Sequence, residues 1–238
     1  MPTPTDIATR LNGVRERIAD AARRAGRLPS SVTLVAVSKT FPLDAIRAAA
    51  DAGQIDFGEN KVQEGLAKIV ASGSVPLRWH LIGHLQGNKA RKAAASFDVI
   101  HSIDSIELLK RVDEGARDRQ RTVDVLIQVD LAGEPTKHGA PEAEVPAIID
   151  TAMSCSGARL VGLMVLPPAV DDAQDARAYF TALRTLRDGW VRDGVPPTML
   201  AQLSMGMSHD FEVAVEEGAT MVRVGTAIFG ERTFQTPD

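Results

Sequence analysis

The sequence predicts an α/β protein folded as a (β/α)8 TIM barrel with one extra N-terminal helix. Three observations carry the prediction. Eight short apolar runs recur along the 238 residues, stretches with helical spacing separate them, and no composition break, proline-rich linker or internal repeat divides the chain. The runs are mostly continuous rather than alternating, as expected of strands covered on both faces in a parallel sheet. A doubly wound open sheet of eight strands has the same periodicity and remains the rival architecture. Barrels of this kind often form one unit of about 200–250 residues, so residues 1–238 are read as a single domain.

In chain order, Ile7 to Ala25 reads as an amphipathic helix, and Asp6, Glu16 and Asp20 distinguish it from an acid-poor transit peptide. The apolar runs then begin at Val32 (VTLVAV), Gln54 (QIDFG), Arg78 (RWHLIG), Asp98 (DVIHSI), Val123 (VDVLIQVDL), Arg159 (RLVGLMVL), Met199 (MLAQLSMG) and Thr220 (TMVRVG). Between them, Leu43 to Ala52 and Ser105 to Arg119 have helical spacing, the latter through Ile106, Leu109 and Val112. Ala173 to Trp190 aligns Phe180, Leu183 and Leu186 on one stripe. The Pro167-Pro168 and Pro196-Pro197 pairs punctuate loops, because proline neither continues a helix nor donates to a central ladder.

The net charge of −4, from 27 Lys and Arg against 31 Asp and Glu, does not favour a polyanion, so nucleic acid is not an expected partner. The single cysteine, Cys155, excludes an intrachain disulfide, a CxxC pair and a multi-cysteine zinc site. It fits a reducing compartment, and the expected location is cytoplasmic. No run of about 18 apolar residues offers a membrane span. No GxGxxG after a strand, no GxxxxGKS and no GxSxG is present, which removes the nucleotide and hydrolase fingerprints.

In a barrel, strand C-terminal ends and the loops after them form the mouth of the site. Lys39 closes the run VAVS, where the edge of an apolar core disfavours its charged form and lowers its pKa. A neutral lysine is a nucleophile able to form a Schiff base, with pyridoxal phosphate or a carbonyl substrate as its partner. The same position also suits a lysine whose head reaches solvent. On the last two strands, Ser204 and Thr226 supply hydroxyls, Gly206 and Gly225 allow close backbone approach, and a helix starting near Thr226 presents free N–H groups. That set suits a phosphate, and equally suits ordinary turns with capping hydroxyls. Strands eight and one are neighbours in a closed barrel, so one molecule bearing a phosphate and an aldehyde can span both. His80 and His84 straddle a strand end with no third ligand in view, and no metal is expected.

The motifs VAVSKT, DAGQIDFGENKVQEG, RWHLIGHLQGNKAR, HSIDSIELL, LVGLMVLPP and LSMGMSHDFEVAVEEGATMVRVGTAIFGER, in that order, resemble the pyridoxal-phosphate homeostasis proteins. The resemblance covers nearly the whole chain after about Leu34. It implies the barrel half of the fold-type III pyridoxal-phosphate (PLP) proteins, exemplified by alanine racemase, without their second β domain. It also implies PLP held covalently as an aldimine on Lys39. Ser204, Gly225 and Thr226 match phosphate-binding positions, with backbone from Met205 and Gly206. Arg223 matches the arginine facing the pyridine nitrogen, while Asn60 and the Trp79-His80 strand line the ring. The departures are Leu81 where phenylalanine is usual, Asp130 where asparagine is common, and His209 in a variable slot.

An arginine at the ring nitrogen cannot accept that nitrogen's proton, which weakens the electron sink. Tyr179, the one tyrosine, falls in a helix and reads as packing rather than as a second base. The resulting expectation is a PLP carrier or regulator with no catalytic residue assigned, exchanging cofactor with amino acids or apoenzymes and acting as a monomer. A slow PLP-dependent racemase, or another PLP enzyme, is the alternative, and a cofactor-free Schiff-base aldolase leaves Arg223 unexplained. Lys137 is a candidate second aldehyde site.

Overall fold

The computed structural model describes residues 3–133 and 138–231, so Lys137 lies outside the described residues. The barrel staves are β1 (Thr33–Val37), β2 (Asp56–Glu59), β3 (Arg78–Leu81), β4 (Val99–Ile103) and β5 (Val123–Asp130), followed, after a two-residue strand β6 (Ala140–Pro141), by β7 (Ala158–Met164), β8 (Gln202–Met207) and β9 (Met221–Val224). All pairings are parallel. The ring closes where β1 pairs with β9, Thr33 opposite Met221, and where β4 pairs with β5, Val99 opposite Asp124. The closed barrel thus replaces the open-sheet rival, and β6 extends one edge of β5, Ala140 opposite Val129.

The helix at the N-terminal end is α1 (Pro4–Arg24). Thr3 caps it: its Oγ1 accepts from Asp6 N at 3.2 Å while the Asp6 carboxylate accepts from Thr3 N at 2.9 Å. Ile7, Leu11, Val14 and Ile18 form its buried stripe, at the i, i+3 and i+4 spacing of one helical face. That stripe packs on α2 (Leu43–Asp51), α8 (Phe211–Glu216) and α9 (Thr226–Phe229), covering the seam where β1 meets β9. The outer ring continues with α3 (Val62–Ser72), α4 (Ala90–Ala94), α5 (Ile106–Arg117), α6 (Val145–Ala152) and α7 (Arg177–Arg192). Ser105 is the cap of α5 rather than its first residue, accepting from Leu108 N at 3.3 Å. The predicted helix from Ala173 divides into a 3-10 turn, Ala173–Ala176, and α7, which buries Phe180 and Leu183.

Most of the apolar core lies between staves and helices. The bore holds a small apolar layer of Val99, Leu126 and Met164. Above and beside that layer the inward positions are polar: His80, His101, Ser204 and Arg223 are all buried. Among the described residues, no helix is long and apolar enough to cross a membrane.

Candidate functional site

A cleft of about 620 Å³ opens at the C-terminal end of the staves. Its walls come from almost every stave end: Val37 and Lys39 after β1, Asn60 after β2, Ile82 to His84 after β3, Gln128 on β5 and His138 ahead of β6. Leu166 and Pro167 follow β7, Met207 to His209 end β8, and Arg223, Gly225 and Thr226 end β9. Lys39, Asn60, Arg223, Gly225 and Thr226, drawn together from distant parts of the sequence, therefore share one cleft.

Lys39 is presented by a tightly held segment. Buried Ser38 donates to Glu59 Oε1 at 2.6 Å, and Lys68 Nζ reaches the Ser38 carbonyl, Glu59 Oε1 and Glu64 Oε1, each at 2.8 Å. On the other side, Thr40 N donates to Glu64 Oε1 at 2.6 Å, with Thr40 at φ 68°, the left-handed region that non-glycine residues seldom adopt. The chain on both flanks of Lys39 is thus fixed by one ion-paired cluster. Glu59 is fully buried and its Oε2 lacks a partner, so burial pushes its carboxyl above the usual range against the pull of Lys68 and Ser38.

Arg223 forms the floor. It is 3% exposed, and burial pushes its guanidinium down to about 10, with Asp210 pulling the other way. One nitrogen donates to Ser204 Oγ at 2.6 Å and another to the Val165 carbonyl at 2.9 Å. From Ser204 a chain of contacts continues down the bore: Ser204 Oγ to His101 Nδ1 at 2.8 Å, His101 Nε2 to His80 Nδ1 at 2.9 Å, and His80 Nε2 to Asp56 Oδ1 at 2.8 Å. Valence fixes its direction. Arginine has no acceptor, so it donates to Ser204, whose single hydroxyl hydrogen goes to His101; each neutral imidazole then donates onward, ending on the Asp56 carboxylate. Burial lowers both histidines, His101 well below 6.5, which keeps them neutral.

Four expected site residues lie elsewhere than the cleft wall. β8 runs through Met207, beyond the expected strand end, so Ser204 lies below the mouth in the bore and touches the cleft only through Arg223. Met205 points outward into the core beneath the helices. Gly206, at φ 93°, answers a packing need: a Cβ there would stand 2.6 Å from Ala214 Cβ and 2.9 Å from Phe211 Cα on α8. His80 faces the bore and hydrogen-bonds Asp56 and His101, while Trp79, its neighbour in a strand of period two, packs outward on Phe57.

Residues not assigned to the site also line the cleft. Ser208 lines the cleft and its Oγ accepts from Gly225 N at 3.1 Å, linking the ends of β8 and β9. Its signal was the MSHD tetrapeptide: Asp210 receives Met207 N at 2.6 Å, the side-chain-to-backbone turn that Asp favours after a strand. Gln128 and Leu166 carry no comparable local signal. Asp130 accepts from Ala132 N and Gly133 N at 3.1 and 2.9 Å, organising its own loop.

Residues 10–233 match the family described as alanine racemase, N-terminal domain. The sequence is 42% identical over 225 residues to the pyridoxal phosphate homeostasis protein of Aquifex aeolicus, covering 94% of this chain and 98% of that protein. The chain belongs to the pyridoxal phosphate homeostasis family. Another family relative, from Escherichia coli, is 41% identical over 236 residues, covering 96% of this chain and 98% of its own. The solved structure of PipY from Synechococcus elongatus with PLP bound superposes with a TM-score of 0.83 at 41% identity, over 94% of this chain and all of that one. Alanine racemase of Streptomyces coelicolor shares the fold, with a TM-score of 0.71 at 18% identity, the chain spanning 58% of it. The pyridoxal phosphate homeostasis fold thus corresponds to little more than half of the racemase.

Proposed function

We propose that this protein holds pyridoxal 5′-phosphate in the C-terminal cleft, as a Schiff base on Lys39, and serves intracellular PLP homeostasis as a carrier or regulator. The observation that carries the reading is the convergence of Lys39, Arg223 and the Gly225-Thr226 turn on one cleft of about 620 Å³. The PLP-bound PipY structure, at 41% identity over nearly the whole chain, supports it. The donor set fits the group: an amine for the aldehyde, a guanidinium for the ring nitrogen, and hydroxyl and backbone donors for the phosphate. When bound, PLP supplies an electrophilic carbon that exchanges between amines.

The chain's own residues would do the following. Lys39 Nζ forms and releases the covalent link, held in place by the cluster of Glu59, Lys68 and Glu64 about its flanking backbone. Thr226, Ser208 and the Gly225 turn bind the phosphate where the β8 and β9 ends meet, and Asn60 lies along the ring. Arg223 donates to the ring nitrogen and accepts no proton from it, which favours exchange of the cofactor over stabilising carbanion charge. Tyr179 lies on α7, outside the cleft wall.

Borohydride reduction of protein incubated with PLP, followed by peptide mass mapping, tests the reading. A phosphopyridoxyl group on Lys39, absent in Lys39→Ala, is expected. No adduct, or an adduct on another lysine alone, overturns it. Turnover of an amino acid by the holoprotein would move the protein to the racemase or wider PLP-enzyme class.

A further inference from the structure

A second group of chemically able side chains sits on the rim of the same cleft, and the function above does not use it. His84 follows β3, Asp104 follows β4 and His138 precedes β6, so three separate loops bring these residues together. Each offers one ligand atom, and the three atoms lie within 4.8 Å of one another. His84 Nδ1 is 3.6 Å from Asp104 Oδ2. We propose that His84, Asp104 and His138 bind a divalent transition-metal ion of the zinc class, with an open coordination position toward the cleft.

Two imidazoles and a carboxylate are a ligand set that zinc uses when it keeps a further position for water or a small molecule. Zinc bonds of about 2.0–2.1 Å in a tetrahedron place ligand atoms roughly 3.4 Å apart. The His84–Asp104 pair is already at that spacing. The widest separation, within 4.8 Å, has to close by up to about 1.4 Å, within the swing of an exposed ring such as His138.

The second observation is the way the two rings meet. His84 and His138 are stacked with centroids 3.5 Å apart and planes at 12°. Aromatic pairs ordinarily prefer offset or edge-to-face contacts with centroids about 4.5–7 Å apart, so this sandwich is disfavoured when nothing else holds it. Coordination of one ion requires the two rings to splay apart so that a nitrogen of each points at the same centre, which relieves the sandwich. Both histidines line the cleft, so the ion's open position faces its contents, where an amine or a carboxylate completes the coordination.

The proposal stands apart from the Lys39 reading, and its test is chosen accordingly. Chelator-treated protein is titrated calorimetrically with zinc chloride, and cobalt(II) is added separately to read the ligand-field absorption of a tetrahedral site. One equivalent is expected to bind to the parent and equally to Lys39→Ala. Affinity is expected to fall at least about tenfold in His84→Ala, in His138→Ala and in Asp104→Asn, since even outer-shell losses cost that much. Circular dichroism checks each variant's fold, and Asp104→Asn, which keeps shape and removes only charge, remains decisive if a histidine variant unfolds. Absence of stoichiometric binding to the parent overturns the proposal, as does binding that all three substitutions leave unchanged.

Discussion

Arg223 is tied to Asp56, at the opposite end of the barrel, through three intervening side chains. Ser204, His101 and His80 form one directed hydrogen-bond column between them, with contacts of 2.6 to 2.9 Å. A guanidinium at the floor of a binding cleft is thereby connected to a carboxylate that is 19% exposed at the start of β2. The column orients Arg223 and spreads the cost of burying its charge over five residues.

Ser204 is the link with the most to lose. Ser204→Ala removes the acceptor of Arg223 and the donor to His101 while adding no volume, leaving two buried polar groups unpaired. At about 1–3 kcal/mol for each buried group left unsatisfied, a loss of about 2–6 kcal/mol is expected in urea denaturation. A change below about 0.5 kcal/mol would show that the column carries little stability.

The two histidines set a pH dependence. Both have folded-state pKa values below 6.5, chiefly through burial, so below about pH 6.5 the unfolded chain binds protons that the folded chain refuses. Their contribution is intact above that pH and is lost as pH falls toward the folded values. Denaturation midpoints measured between about pH 7 and pH 5 should drop more steeply in the parent than in His101→Gln. Parallel profiles would mean that the buried pair does not control acid sensitivity.

Lys68 holds the Lys39 segment through a buried ion pair, its side chain 11% exposed against 0% for Glu59. Lys68→Met strands the Glu59 carboxyl and frees the Ser38 carbonyl from its donor. Breaking a buried pair from one side costs about 3–5 kcal/mol, and protonation of Glu59 limits the loss to the lower end. Glu59→Gln, which keeps the acceptor for Ser38, should cost less. Thermal unfolding of both variants decides the order, and a milder effect for Lys68→Met contradicts the clamp.

Gly83 sets the width of the cleft. A Cβ there would stand 2.3 Å from the Asn60 carbonyl oxygen and 2.8 Å from Asn60 Cα, so Gly83→Ala must displace the loop after β2. Overpacking of this kind costs about 1–3 kcal/mol, and the same shift moves Asn60 in the cleft wall. PLP retention measured by equilibrium dialysis is expected to weaken about tenfold, the equivalent of about 1.4 kcal/mol. Unchanged retention would place Asn60 outside the binding determinants.

The staves were legible because buried parallel strands must be apolar along their whole length, and VTLVAV or VDVLIQVDL satisfy that plainly. Lys39 and Thr226 were legible for the same reason, each sitting just past a clear run. Depth along β8 was not legible. Between Ser204 and Met207 the β8–β9 pairing shifts register: Ser204 faces Met221 and Met207 faces Arg223, three steps against two. No local sequence signal marks that irregularity, and it separates Ser204 in the bore from Ser208 at the mouth. His80 is different, because alternation along β3 already prevents Trp79 and His80 from facing the same side. The contact of His84 with His138 joins loops more than fifty positions apart, beyond the reach of periodicity.

The seam between β1 and β9 bears on when the cleft can exist during synthesis. Lys39 and Thr226 are 226 − 39 = 187 positions apart, and both become cleft walls only once the last stave has paired with the first. A ribosome-bound chain that has not yet emitted β9 lacks Arg223 at the floor, the Gly225-Thr226 turn and α9, one of the three helices on which α1 packs. The cleft is thereby completed only at the moment of closure, and a truncated or stalled product lacks it.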